Sequence, residues 1–380
     1  MNLPEGSLIS YFSTLVKQHG GINLAQGIPG FSPPQELLDE LKNIAHENIH
    51  QYPPGIGNFT LLEQLLAYFS DQFPLKKENM IIMQGATEAL CLIFLYVMRQ
   101  TKGGFTTLSF TPPYESYHQL PKQFGLPFIE LDPDENKQLP LAQIKEKIES
   151  DNVRLIFLAS PGNPHGIMFS KESVNALIEL CQQKECFLVF DSVYRTLYFE
   201  TKPYVPLSKL NPYLFIVDGF SKWFSITGWR VGFLIHDEAH CSSLRSLHDY
   251  TGLCANSVLQ EALSRFIAKN NFGETYSGNL RKILAANYQF ASKKLDAMGF
   301  NCKKPDGGYF VWAELPETFS NGFEFAVKLF DYQKVAVVPG IHFSEKAEKI
   351  VRFNIARPLP ELTEGLEKIS CFLKKNSEKT

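Results

Sequence analysis

Lys222 lies just past an apolar run, Leu214 to Val217, inside Gly219-Phe220-Ser221-Lys222-Trp223-Phe224-Ser225-Ile226-Thr227-Gly228-Trp229-Arg230-Val231-Gly232. Arg230 follows eight residues later, ahead of a second apolar run from Val231 to Ile235. An amine on strand-loop ground in aromatic surroundings suits Schiff-base chemistry, because desolvation favours the neutral, nucleophilic form. Arginine supplies a bidentate grip on phosphate. Taken alone, the stretch also fits a surface lysine between two buried strands.

Other positions carry complementary chemistry. Asp191 closes the run Phe187-Leu188-Val189-Phe190 and begins Asp191-Ser192-Val193-Tyr194. A buried carboxylate there could hold a ring nitrogen protonated; a solvent-facing turn cap is the alternative. Asn163 lies in Ser160-Pro161-Gly162-Asn163-Pro164-His165-Gly166, a loop stiff enough to aim one amide at a ligand, or simply a turn. Gly85-Ala86-Thr87 joins a strand to a helix, where free amides and the Thr87 hydroxyl would bind phosphate. Arg352, in Val351-Arg352-Phe353-Asn354-Ile355-Ala356, matches a carboxylate fork to fork, although arginine more often ends in a surface ion pair. Arg357 falls on the opposite face by strand alternation. A Schiff-base lysine beside a phosphate clamp points to pyridoxal 5′-phosphate, which also needs a partner for its ring nitrogen, hydrogen bonds to its 3′-oxygen and a stacking surface.

These residues need a scaffold that brings loop ends together. Apolar runs at Met80 to Met83, Thr106 to Phe110, Pro127 to Leu131, Arg154 to Ala159, Phe187 to Phe190, Leu214 to Val217 and Val231 to Ile235 read as strands. Helical patterns separate them, among them Thr87 to Arg99 and Lys171 to Gln183. Strands apolar throughout imply an α/β fold with a mostly parallel seven-stranded sheet between helices, and ligands of such sheets sit at the strands' carboxyl ends. The candidate residues fall there. A long helical stretch from Ser257 to Met298 leads to a smaller α+β domain, with strands at Cys302 to Leu315, Val335 to Val338 and Ile350 to Ile355. The expected division is an N-terminal arm over 1–45 contributing to the small domain, a large cofactor-binding domain over 46–270, and a small domain over 271–380.

Composition limits the alternatives. Of 380 residues, 37 are basic and 40 acidic, and no basic run marks a nucleic-acid partner. Seven cysteines without a C-x-x-C pair suit reduced thiols, and the start lacks a secretory pattern, so a cytoplasmic protein without membrane segments is expected. The pair His236 and His240 has the spacing of a zinc helix, but Asp237 stands where glutamate is needed and no third ligand is apparent, so no metal is expected.

The stretch around Lys222 resembles the S-x-S-K-x5-G-x-R-x-G signature of class I/II aminotransferases, fold-type I pyridoxal phosphate enzymes. The other segments resemble that family's motifs in order, from about Asn23 to Ala356. Ile22-Asn23-Leu24-Ala25-Gln26-Gly27-Ile28-Pro29-Gly30-Phe31 is similar to the opening of the kynurenine/glutamine/methionine aminotransferase-like branch. The resemblance implies that Lys222 holds the cofactor and Asp191 faces its ring nitrogen, with Tyr194 and Asn163 on the 3′-oxygen. It places Tyr114 against the ring, and Arg230, Ser221, Gly85, Ala86 and Thr87 around the phosphate. Arg352 takes the substrate's α-carboxylate, and Gly27 and Asn163 lie over the substrate. Tyr52, in Gln51-Tyr52-Pro53-Pro54-Gly55, is implied to reach the phosphate of a neighbouring subunit, making a homodimer with shared sites. Gly219 departs from the pattern, standing where the family usually has a phosphate-binding hydroxyl.

The implied activity is transfer of an amino group from an L-amino acid to a 2-oxo acid by a ping-pong mechanism. The 31 Phe and 15 Tyr lean towards aromatic, methionine-like or glutamine-like donors. A C–S β-lyase or another α-carbon enzyme on the same scaffold needs the same lysine, aspartate and arginine, so the sequence leaves it open. A non-catalytic regulator is a further alternative, against which the intact Lys222 argues.

Overall fold

The computed structural model describes residues 3–102 and 104–377. Among them, seven strands form one sheet in the order Met80–Met83, Gly232–Ile235, Leu214–Gly219, Phe187–Asp191, Val153–Ala159, Thr106–Phe110, Phe128–Leu131. Neighbours are parallel except at Gly232–Ile235, which runs antiparallel to both of its partners. Alternation splits the apolar strands between two cores. Ile156, Leu158, Leu188, Phe190 and Ile216 pack on one face with Leu61, Leu65, Leu177 and Phe266. Leu155, Phe157, Val189, Phe215 and Val217 pack on the other with Leu90, Ile93 and Leu244. A strand buried on both faces has no polar side to show, which is why these runs are apolar throughout.

The single reversed strand has a consequence for the chemistry. The strands ending at Met83, Ala159, Asp191 and Gly219 all finish at one sheet edge, and Gly232–Ile235 begins there, with Gly232 registered against both Gly219 and Met83. Arg230 therefore arrives at the same edge as the residues that leave it.

A second core surrounds a four-stranded antiparallel sheet in the order Val338–Pro339, Ile350–Asn354, Phe310–Glu314, Asn301–Lys303. Phe325, Leu329, Leu362, Ile369 and Phe372 cover it from the helices Gly322–Gln333 and Leu359–Ser377. The N-terminal segment divides between the cores. Leu8 and Phe12 of the helix Leu8–His19 enter the second core, and Ile22–Asn23 pairs with Val335–Ala336. The helix Gln35–Ile44 instead buries Leu37 and Ile44 in the large sheet's core, against the helix Ser257–Lys269. Its stripe of Leu37, Leu41 and Ile44 recurs at helical spacing and needs an apolar partner, which that helix supplies.

Three elements differ from the sequence expectation. The long helix is broken between Lys269 and Glu274, where Asn271, Phe272 and Gly273 all have positive φ. The break turns Phe272 onto Tyr68, with ring centroids 4.4 Å apart, and Gly273 lies where a Cβ would be 2.6 Å from Phe224. The run Cys302 to Leu315 is two strands joined through Pro305-Asp306-Gly307-Gly308. Val335 to Val338 divides between two sheets. No described helix is long and apolar enough to cross a membrane.

Candidate active site

A cavity of about 240 Å³ opens where the carboxyl edge of the large sheet meets the second core. Asp191, the last residue of its strand, is buried there. Its Oδ1 accepts from the Val193 amide at 3.1 Å and its Oδ2 from the Tyr117 hydroxyl at 2.7 Å. Burial nonetheless pushes its carboxyl up to about 6, against the pull of those two bonds and of Lys222.

Lys222 rides on the short helical turn Phe220–Trp223 directly after the strand Leu214–Gly219. Phe220, Trp223 and Phe224 anchor that turn in the core, which leaves Lys222 facing the cavity. Its Nζ donates to the Gly27 carbonyl at 2.8 Å and lies 5.9 Å from the centre of the Tyr309 ring. Burial, and then the charges of Arg352 and Arg230, bring its amine down to about 7.

Arg230 leaves the turn Thr227–Trp229 in the left-handed conformation, and its Nη1 donates to the Thr227 carbonyl at 2.9 Å, 3.5 Å from Ser221 Oγ. Its guanidinium lies against Gly85, where a Cβ would fall 2.6 Å from Nη2. Gly85 has φ +85 and immediately precedes the helix Ala86–Gln100. Only a residue without a side chain admits both that conformation and that approach. Arg230, Ser221, Thr87 and the first turn of a 15-residue helix therefore converge. The departure at Gly219 has a steric counterpart: a Cβ there would meet Gly232 Cα at 3.1 Å and the Val231 carbonyl at 3.2 Å.

Arg352 comes from the second core, on the strand Ile350–Asn354, and is wholly buried. Its Nη1 donates to Asn163 Oδ1 at 2.7 Å and its Nη2 to the Ala25 carbonyl at 2.6 Å, while its plane lies 4.0 Å from the Phe310 ring centre. Burial lowers it to about 10, which still leaves it charged at neutral pH. Its Nε has no hydrogen-bond partner among the described residues. Arg357 lies beyond the strand end, buried beside Gly30.

The remaining expected residues are placed as follows. Tyr114 lines the cavity, its ring edge-on to Tyr117 at 5.5 Å. Tyr194 is buried against Tyr309 and Phe310, and Gly27 accepts from both Lys222 and the Tyr309 hydroxyl. Thus Lys222, Asp191, Tyr194, Tyr114, Asn163, Ala86, Thr87, Ser221, Arg230, Arg352 and Gly27 share one cavity, with Gly85 behind Arg230. Tyr52 does not line it: its side chain is 82% exposed on the surface. His165 shapes its own loop, its Nδ1 accepting from the Ile167 amide. The spaced histidines serve packing: His240 contacts the Tyr96 hydroxyl and the Pro212 carbonyl, and His236 the Asp237 carbonyl.

Several lining residues were given no role by the sequence, among them Ile9, Ile28, Glu115 and Tyr117. Tyr309, whose hydroxyl donates to the Gly27 carbonyl beside Lys222, was likewise given none, and its one available signal was the Gly307-Gly308 turn ahead of a strand. Most phenylalanines pack in the cores and none among the described residues lines the cavity, whose rings are those of Tyr114, Tyr117 and Tyr194.

Residues 19–369 match the family described as aminotransferase class I and II. The chain belongs to that family. It is 26% identical over 378 residues to a probable N-acetyl-LL-diaminopimelate aminotransferase of Bacillus subtilis, covering 98% of this chain and 95% of the relative. With a probable aspartate aminotransferase of Methanocaldococcus jannaschii it shares 28% identity, over 91% of both chains. The fold is that of the Thermus thermophilus aspartate aminotransferase solved with maleate, at a TM-score of 0.89 and 21% identity over 98% of this chain and 100% of that one. It is likewise similar to N-succinyldiaminopimelate aminotransferase from Mycobacterium tuberculosis, at a TM-score of 0.87 and 22% identity over 98% and 100%. Aminotransferases of this family use pyridoxal 5′-phosphate, and the chain is a transaminase acting on an amino acid and a 2-oxo acid.

The cavity fits that cofactor. Asp191 and Lys222 are both buried at a cost to their charged forms, and a cationic ring nitrogen and an aldehyde are the respective partners that would relieve each. The concavity closed by Gly85 against Arg230, with a helix N-terminus beside it, is shaped and charged for a phosphate.

Proposed function

We propose that the cavity around Lys222 is the transaminase active site, with the residues in the following roles. Once bound, pyridoxal phosphate supplies an aldehyde that joins an amine and a conjugated ring that withdraws electrons from the substrate's α-carbon. Lys222 Nζ carries the cofactor covalently. Its amine, when free, would take a proton from the substrate's α-carbon and give it back. An amine near 7 can serve as base and then as acid at neutral pH. Asp191 would keep the ring nitrogen protonated, and Tyr117 and Val193 keep that carboxylate in place. Arg230, Ser221, Thr87 and the amides of the helix start hold the phosphate, and Tyr114 covers the ring. Arg352 presents its guanidinium to the substrate carboxylate with Asn163 beside it. Tyr194 and Asn163 serve the 3′-oxygen.

The observation that carries this assignment is Lys222 itself, an amine held near 7 between Arg230, Arg352 and Asp191 in one cavity. The domain division that suits it joins a large unit around the seven-stranded sheet to a small unit around the second core. We further propose a homodimer. The loop of Tyr52 lies beside the helix Cys241–Thr251, since Gly55 approaches Asp249 and Leu253, and Tyr52, Phe59, Tyr250 and Leu253 are each exposed. Exposed rings of this kind need a partner surface. The donors proposed are aromatic, methionine-like or glutamine-like amino acids, because Ile9 and Ile28 line the same cavity as Arg352.

The purified protein should be yellow, be bleached by a donor amino acid and be restored by a 2-oxo acid, with no pyruvate or ammonia released. Release of those products instead would identify a β-lyase. Borohydride treatment followed by peptide mapping should place the pyridoxyl group on Lys222, and its appearance elsewhere would reject the assignment.

A further inference from the structure

Glu115 lines the same cavity and has no part in the roles above. It is the first residue of the helix Glu115–Gln123, where the helix dipole favours a negative charge. The Ser7 hydroxyl, at the cap of the N-terminal helix, donates to its Oε2 at 2.8 Å, and His342 Nε2 lies 2.8 Å from the same oxygen. Burial pushes this carboxyl up, but His342, Ser7 and the Arg352 charge bring it below its usual range, so it is ionised at neutral pH. Both contacts fall on Oε2, which leaves Oε1 as an acceptor.

Its position is fixed relative to Arg352 by a short series of contacts. The Arg352 guanidinium lies 4.9 Å from the Phe343 ring centre, and that ring is 4.8 Å from the ring of His342. Among the described residues lining the cavity, the cations are Lys222, Arg230 and Arg352, and each already has an anionic or covalent assignment. A substrate held at Arg352 by its α-carboxylate would therefore share the cavity with Ile9, Ile28 and the fixed negative charge of Glu115. None of those three cations remains there for a second carboxylate.

We propose that Glu115 sets the donor class: it excludes amino acids with a distal carboxylate and accepts a hydrogen bond from a distal amide, which favours a glutamine-like donor. This rests on the transaminase assignment and narrows it. Like-charge juxtaposition in a partly desolvated site is strongly unfavourable, whereas an amide N–H to a carboxylate is a charge-assisted bond.

The test uses the holoenzyme and two unreactive probes that differ only at the far end, glutarate and glutaramate. Binding is read by calorimetry or thermal shift, which needs no turnover. The wild type should prefer glutaramate by roughly tenfold or more, and Glu115→Gln should bring the two affinities to within about threefold. The glutamine-to-glutamate ratio of kcat/KM should move in the same direction. Glu115→Ala repeats the comparison without the Ser7 and His342 contacts, in case the first variant is unstable. Equal binding of the probes by the wild type, or an unchanged ratio in a folded variant, overturns the role of Glu115. Failure of every amino acid to bleach the cofactor would reject the transaminase assignment instead, and the binding comparison would still decide on Glu115.

Discussion

Tyr117 donates its hydroxyl hydrogen to Asp191 Oδ2 at 2.7 Å, while its ring lies parallel to Phe157, with centroids 4.9 Å apart. The stacking fixes the ring, so the hydroxyl has one place to go. The pair joins the helix after Tyr114 to the strand end that carries Asp191. A hydrogen bond to a buried carboxylate steadies the charge that burial opposes.

Tyr117→Phe tests that bond with the stacking kept. A hydrogen bond to a charged group contributes about 1.5–3 kcal/mol. Turnover should fall roughly tenfold or more with little change in KM, because in its proposed role Asp191 interacts more strongly as charge develops on the ring. Stopped-flow half-reactions read the effect directly. An unchanged rate would mean that the Val193 amide alone suffices.

Lys222 makes a prediction for the cofactor-free protein. Its amine falls from 10.5 to about 7 on burial, so the native state binds fewer protons than the unfolded chain between those values. Stability should therefore rise as pH climbs from about 7 to about 10. The gain should reach a few kcal/mol, because each tenfold loss of proton affinity on folding corresponds to about 1.4 kcal/mol. Lys222→Met removes the charge but keeps the bulk. It should be more stable than the wild type at pH 6, and that advantage should vanish near pH 10 in urea titrations. Parallel pH curves for the two proteins would show that Lys222 is not desolvated in solution.

Arg195 and Asp218 form a buried ion pair beneath the Lys222 turn, at 7% and 3% side-chain exposure. The guanidinium lies 4.4 Å from the Trp223 ring centre and donates to the Tyr68 hydroxyl at 3.0 Å, and Asp218 Oδ1 accepts from the Gly219 amide at 2.7 Å. The pair thus ties the residue after Tyr194 to the residues before Lys222. Arg195→Met would strand a buried carboxylate and should cost about 3–5 kcal/mol. Adding Asp218→Asn should recover much of that loss, because the stranded charge goes too. Denaturant unfolding of the two variants checks the order of stabilities.

The same pair shows why part of the site was legible in the chain and part was not. The strand ends were readable because burial on both faces makes each strand a continuous apolar run, and the polar residue that stops the run, such as Asp191, stands out by contrast. Gly85, Thr87 and Arg230 were readable because close approach and phosphate chemistry each restrict residue type. Tyr117, Tyr309 and Arg195 were not, because their partners lie on other elements: 74 positions separate Tyr117 from Asp191. Nothing local distinguishes a tyrosine that steadies a carboxylate from one that fills a core. The break at Asn271-Phe272-Gly273 did carry a local signal, Asn270, Asn271 and Gly273, but helical periodicity on either side masked it. The helix Gln35–Ile44 falls within the expected arm because the Pro and Gly around it outweigh its three-residue apolar stripe.

Tyr52 supplies the last prediction, on assembly. It is exposed on a Pro-Pro-Gly loop and is absent from the cavity of its own chain, as expected if it serves a neighbour. With Gly219 offering no hydroxyl, a phosphate contact from Tyr52 would be one of few beyond Arg230, Ser221 and Thr87. Tyr52→Phe should weaken cofactor retention roughly tenfold or more while leaving circular dichroism unchanged, as for a lost hydrogen bond to a charged group. A stronger test mixes two inactive variants, Tyr52→Ala and Lys222→Ala. If Tyr52 acts across the interface, one site of each hybrid carries both wild-type residues and the other carries neither. Activity should then return to about a quarter of wild type after random subunit exchange, since half the dimers are hybrids and each has one good site. No recovery, in mixtures shown by mass spectrometry to have exchanged subunits, would confine Tyr52 to its own subunit.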